Sequence, residues 1–161
     1  MMKLEWYAFN KLGVDALYAL LRLRAQVFVV EQECPYADAD GLDPQAYHLL
    51  GWDDERTLIA CARVFPPEKG RIRVGRIVVA PSQRGNGDGH LLLEEILQFC
   101  RGHWPGTPVA LAAQAHLARF YGEHGFVAES EPYDEDGILH VDMVRTLPHV
   151  LLTPQPVNGP M

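Results

Sequence analysis

Apolar and polar positions alternate from Leu4 to Phe9, which predicts a first strand. Gly13 breaks that pattern, and Leu17, Leu20, Leu21 and Phe28 then recur at helical spacing, predicting one or two helices over 14–31. Pro35 to Pro44 is acidic and contains Gly and Pro, the composition of a loop. His48–Trp52 and Thr57–Phe65 predict strands around the turn Asp53-Asp54-Glu55-Arg56; Pro66-Pro67 through Gly70 predicts another turn, and Arg71–Val79 a third apolar strand. A glycine-rich loop follows. Beyond it, Leu92, Leu93, Ile96, Leu97 and Cys100 form one stripe of a helix over His90–Trp104.

The remaining pattern is a continuous apolar run at Pro108–Ala113, as in a strand covered on both faces, and a helix over Ala115–His124 stopped by Gly125. Phe126–Glu129 and Ile138–Arg145 read as strands around the turn Asp134-Glu135-Asp136-Gly137. The order β-α-(α)-β-β-β-α-β-α-β-β describes a mixed α/β domain over residues 1–147. Residues 148–161 carry four prolines and predict a tail with no regular structure of its own, with Val150, Leu151 and Leu152 as its anchor.

Composition narrows the function classes. A chain of 161 residues suits one domain with a real core. No apolar run approaches the roughly 20 residues that span a bilayer, and the N-terminal segment has no signal-peptide h-region, so no membrane partner is expected. A formal charge of −7 disfavours nucleic acid and weakly favours cationic partners such as amines. Cys34, Cys61 and Cys100 are odd in number and lack a C-x-x-C pair, which points to reduced thiols in a cytoplasm. Seven histidines include no H-E-x-x-H, and Asp38–Asp43 departs from a calcium loop in its glycine and closing glutamate, so no metal is expected.

The sharpest chemical signal is the segment Arg84-Gly85-Asn86-Gly87-Asp88-Gly89 between a strand and a helix. Glycines let a ligand approach the backbone, and a helix N-terminus offers free N–H groups to an anion such as a pyrophosphate, with Arg84 adding a charge-assisted contact. Glycine spacing alone fits a flexible turn equally well. A Walker A loop is excluded by His90-Leu91 after the last glycine, and a dinucleotide fingerprint by the G-x-G-x-G spacing and the apolar Val109–Ala113.

Arg84, Gly87 and Gly89 fill the motif [Gln/Arg]-x-x-Gly-x-[Gly/Ala] of the GNAT acetyltransferases, and Tyr121-Gly122-Glu123-His124-Gly125-Phe126 resembles their Tyr-x-x-x-Gly-Phe. The order of elements resembles the family's over nearly all of residues 1–145. Arg24 through Gln32, Pro35 through Gly41, and Asp136-Gly137-Ile138-Leu139-His140 resemble the ElaA-type branch, with leucine where a proline precedes the histidine there. The resemblance implies a single GNAT-type domain, a mostly antiparallel splayed sheet flanked by helices. It implies acetyl-CoA as cosubstrate, its pantetheine held by the backbone of Ile77, Val78 and Val79 and its pyrophosphate by Arg84, Gly85, Asn86, Gly87, Asp88 and Gly89.

The implied chemistry is direct attack of an amine, on a small molecule or a peptide, upon the thioester. Tyr121 takes the place of the general acid. Gln114 stands seven residues before it, where many relatives have a pantetheine-binding Asn. Glu31 is the candidate base, with a water relay as the alternative, and Arg24, Gln32 and His140 are candidates at the acceptor. Arg24 interrupts an apolar helical face, as a snorkelling surface arginine does, or as a cleft residue that orders Glu31 and the acceptor loop. Family habit also allows a homodimer. A different class of function, an acyl-CoA-binding sensor or scaffold without turnover, shares the fold; retention of Tyr121 favours the enzyme.

Overall fold

The computed structural model describes residues 1–146 and 156–158. Eight strands form one sheet: β1 Lys3–Ala8, β2 Tyr47–Trp52, β3 Leu58–Glu68, β4 Arg71–Val79, β5 Val109–Gln114, β6 Val127–Ala128, β7 Tyr133–Glu135 and β8 Ile138–Arg145. Their spatial order is β1-β2-β3-β4-β5-β8-β6, with β7 also on β8. Every pairing is antiparallel except β4 with β5. Helices α1 Gly13–Arg24 and α2 Asp88–His103 cover opposite faces, and the short α3 Ala118–Gly122 follows β5.

Alternation along the strands sorts side chains between two cores. Leu49, Ala60, Ala62, Val64, Ile72 and Val74 pack with Leu92, Leu93 and Ile96 of α2. Leu50, Leu58 and Cys61 face Leu20 and Leu23 of α1. In β4 the phase changes. Ile72 and Val74 face α2, yet farther along it is Ile77 and Val79 that join that core while Val78 turns to α1. The cause is a bulge: Cys61 pairs Val78 and Arg63 pairs Gly75, so β4 carries one residue more than β3 in this interval. Arg76 sits there with φ +51°, a left-handed conformation unfavourable for a side-chain-bearing residue.

Element boundaries depart from the sequence pattern in four places. The helix expected over 14–31 is α-helical only to Arg24 and continues as a wider π turn over Ala25–Glu31, closed by bonds such as Gln32 N to Val27 O. Strand β3 runs through Pro66 and Pro67 to Glu68, where a register irregularity relieves them of ladder bonds, and the turn is Lys69-Gly70 at φ +53° and +77°. The expected turn at Asp134–Gly137 contains β7, and only Asp136-Gly137 turns. The helix expected over Ala115–His124 is a 3₁₀ turn plus five α-helical residues, closed by Gly125 at φ +88° and a bond from Phe126 N to Tyr121 O.

Val150–Leu152 lie outside the described residues, as does most of the 148–161 tail. Asn158 is described: its N–H and its side-chain amide donate to the Trp6 carbonyl, and Ala8 N–H donates to the Asn158 carbonyl at 3.1 Å. This bridge covers part of the outer edge of β1. Shortening the chain to end at residue 155 removes that acceptor. Hydrogen exchange at the Ala8 amide is expected to accelerate while that of buried Leu50 stays slow; unchanged protection at Ala8 contradicts the docking.

Candidate active site

β4 and β5 touch through only two register pairs, Ile72 with Val109 and Arg73 with Ala110. From Val74 to Val79 the two strands diverge, and β5 pairs instead with β8 along its whole length. The last residues of β4, Ile77, Val78 and Val79, therefore form one wall of a gap. Directly after them the chain enters the loop to α2. Gly85 and Gly87 have φ of +85° and +90°, so these positions need glycine for their backbone angle, and a Cβ on either meets nothing within 4 Å. Asp88 N–H is capped by the Asn86 side chain at 3.2 Å. The amides of Gly85, Asn86, Gly87, Gly89 and His90 donate to no acceptor among the described residues. That is the donor set an anionic diphosphate needs at the positive end of a helix.

Arg84 is anchored. Its Nη1 and Nη2 donate to both oxygens of Glu31, at 2.6 and 2.8 Å, and its Nε donates to the Val79 carbonyl at 3.0 Å. The bonds from Arg84 hold the Glu31 carboxyl below its ordinary pKa, against the opposing effect of burial. Glu31 and Arg84, assigned different tasks on sequence grounds, thus meet directly.

Beneath the Pro35–Pro44 loop lies a closed ring of alternating charges. Arg24 bonds Asp38 and Asp43 at 2.8 Å each; Arg63 bonds Asp43 at 2.9 Å and Asp40 at 2.7 Å; Arg76 bonds Asp40 at 3.3 Å and Asp38 at 2.8 Å. Arg24 is 1% exposed. Burial works against the charged form of Asp43, and the hydrogen bonds from Arg24 and Arg63 outweigh it, so its pKa falls. Asp40 is held far lower, chiefly by its bond from Arg63. His48 donates from Nε2 to the Asp43 carbonyl at 2.8 Å, and burial lowers its pKa, which keeps it neutral. The Arg76 guanidinium also lies 5.5 Å from the Tyr36 ring.

Tyr121 lies on α3, 6% exposed, edge-on to Phe120 and Phe126. Burial pushes its phenol up to about 12. Gln114 ends β5 opposite His140 on β8, so these two are cross-strand neighbours. His140 bonds the Ile138 carbonyl through Nδ1 at 2.8 Å and approaches Glu135 through Nε2 at 3.6 Å. Gln32 caps the π turn. Two residues on, the Cys34 thiol donates to the Asp136 carbonyl at 3.2 Å, which ties the start of the Pro35–Pro44 loop to the β7–β8 turn.

A family model described as an acetyltransferase (GNAT) domain matches residues 21–147. The chain belongs to the GNAT acetyltransferase family. It is 44% identical over 148 residues to Protein ElaA of Escherichia coli strain K12, covering 88% of this chain and 96% of that protein. The crystal structure of Escherichia coli ElaA superposes with a TM-score of 0.85 at 42% identity, over 90% of this chain and 99% of that one. An acyl-CoA N-acyltransferase from Pseudomonas aeruginosa superposes at 0.86 with 44% identity, over 91% of this chain and all (100%) of that one. The mixed α/β fold with a splayed, mostly antiparallel sheet is therefore that of an acyltransferase family whose members use acyl-CoA, and the ElaA-type resemblance holds.

Within this GNAT frame the expected residues separate into two groups. Ile77–Val79, the loop to Gly89, and Glu31 meet through Arg84, and Gln114 meets His140. Arg24, expected at the acceptor, has its guanidinium enclosed among Asp38 and Asp43, where it holds the Pro35–Pro44 loop. The acidic loop likewise offers no free acidic field to a cationic acceptor, because Asp38, Asp40 and Asp43 are neutralised by three arginines. Arg63 and Arg76 are not among the residues expected from the sequence. Arg63 alone interrupts the buried apolar run of β3, the mark of a buried partner, whereas Arg76 shares β4 with Arg71 and Arg73 and carries no such signal.

Arg24→Met removes one cation from this ring and leaves two buried carboxylates short of a partner. Loss of one partner from a buried pair typically costs about 3–5 kcal/mol. Urea denaturation is expected to report a loss of that order, and a change below about 1 kcal/mol contradicts the ring as drawn.

Proposed function

We propose that this protein transfers an acetyl group from acetyl-CoA directly to the primary amine of a small molecule or peptide. One observation carries the reading: β4 diverges from β5 at the point where it delivers a glycine loop with unengaged amides. The gap suits a pantetheine arm lying along Ile77–Val79, and the loop suits the pyrophosphate. Gln114, at the end of β5, would line the far wall, with His140, Gln32 and the β7–β8 turn on the acceptor side.

The neutral amine attacks the thioester carbonyl, the C–N bond forms and the C–S bond breaks, and the proton lost from nitrogen is balanced by one gained at sulfur. Tyr121 is the donor to sulfur. Its phenol, near 12, stays protonated at every working pH. Donation to a thiolate of pKa about 8.5 is uphill for a free proton. The phenol therefore acts by a hydrogen bond that strengthens as charge builds on the leaving sulfur, and regains any transferred proton, through water, from the attacking nitrogen as it becomes the amide. Glu31 is bound at both oxygens and acidified, a poor base, so water takes the amine proton.

The deciding experiment is a thiol-release assay with acetyl-CoA against polyamines, amino acids, aminoglycosides and peptides. No release with any amine, despite acetyl-CoA binding, returns the protein to the sensor class. Gly87→Val forces a β-branched residue into a left-handed conformation that costs about 1–2 kcal/mol; calorimetry is expected to read an acetyl-CoA affinity at least roughly tenfold weaker. Equal affinity removes the loop from the cofactor site.

Tyr121→Phe keeps the ring between Phe120 and Phe126 and deletes only the hydroxyl. Turnover is expected to fall by about 10²-fold or more, with acetyl-CoA affinity within a few fold. Retention of half the wild-type rate, with chemistry limiting, rules the role out.

A further inference from the structure

Arg84 and Glu31 are 53 positions apart in the chain and belong to opposite sides of the site. Arg84 opens the cofactor loop; Glu31 is the last residue of the π turn that leads into the acceptor loop. The contact between them has the fork geometry in which guanidinium and carboxylate bind best, two parallel N–H···O bonds. The third nitrogen is fixed to the Val79 carbonyl, the last residue of β4. All three guanidinium nitrogens thus hold protein atoms, while the amides of Gly85, Asn86, Gly87 and Gly89 hold none among the described residues.

We propose that Arg84 and Glu31 form a staple that locks the start of the cofactor loop between β4 and the acceptor-side π turn. Both are positioning residues: the pyrophosphate is taken by the loop backbone and not by the Arg84 side chain, and Glu31 does not deprotonate the amine. This inference rests on the loop being the cofactor site. Its physical basis is preorganisation. Gly85 and Gly87 give the loop the freedom to adopt its left-handed angles and, by the same freedom, a large entropy to lose when a diphosphate orders it. A staple at Arg84 removes part of that entropy beforehand. It also makes the π turn, and with it Gln32 and the acceptor loop, move with the cofactor loop. The pair is 44% and 39% exposed, so its energetic effect is that of a surface pair, a few fold in binding.

A double-mutant cycle on acetyl-CoA binding separates the alternatives, because binding needs no acceptor and no turnover. Glu31→Gln and Arg84→Gln are each expected to weaken binding about two- to five-fold, and the double variant no more than either alone. The reversed pair, Glu31→Arg with Arg84→Glu, is expected to recover at least half of the loss. Melting temperatures within a few degrees of wild type establish that each variant is folded. If Arg84 instead grips the pyrophosphate, Arg84→Gln loses far more than Glu31→Gln, the losses add, and the reversed pair binds worst. If Glu31 is the base, Glu31→Gln leaves binding unchanged but lowers kcat and abolishes the acidic limb of its pH profile. Either result overturns the staple. Absence of acetyl-CoA binding in the wild-type protein overturns the cofactor site itself, and the staple with it.

Discussion

The bulge in β4 at Arg76 is the constraint on which the rest of the site depends. One extra residue in an antiparallel ladder exchanges the two faces of everything that follows, so Ile77 and Val79 replace even-numbered residues in the α2 core. The same irregularity comes just past the last residues that β4 shares with β5, and the gap opens there. It also sends the Arg76 guanidinium to Asp38 and Asp40, closing a ring that a straight strand would leave open. A left-handed arginine costs about a kcal/mol or two. The three contacts Arg76 makes with Asp38 and Asp40 offset it.

The ring explains how a loop without regular structure keeps one shape. Asp38, Asp40 and Asp43 come from one short stretch, and each bridges two arginines from three different elements, α1, β3 and β4. Breaking one link leaves buried charge unpaired, which makes the arrangement specific even where its net stabilisation is modest. Buried neutral His48 completes it by donating to the Asp43 carbonyl. The loop is therefore a rigid wall built on the sheet. The Cys34 thiol, bonded to the Asp136 carbonyl, carries that rigidity to the β7–β8 turn.

Much of this was legible in the chain. The strand and helix order followed from hydrophobic periodicity because each element buries one face, and burial repeats every two or every 3.6 residues. The glycine loop was legible because positive φ admits few residues; that Gly87 is the N-cap of α2, whose start lies two residues ahead of the one expected, is seen only in the structure. Boundaries failed where a neighbour overrode local chemistry. Pro66 and Pro67 stay in β3 because a register irregularity asks no N–H of them. The helix after Gln114 is short because its first turn, Ala115–Leu117, is 3₁₀ and leaves five α-helical residues.

What the sequence by itself determined is the set of elements, the family, and the glycine loop between β4 and α2, since these depend on contacts among near neighbours and on glycine's unique backbone freedom. Only the tertiary structure decided the roles of charged residues. Arg24 reads as a surface or cleft arginine until β3 and β4 bring Arg63 and Arg76 beside it, and the acidic Pro35–Pro44 segment reads only as a loop until those three arginines neutralise it. Glu31 reads as a free carboxylate until Arg84 is found on both of its oxygens. A charge acts according to the partner that lies within a few ångströms, and that partner is 14 to 53 residues distant along the chain.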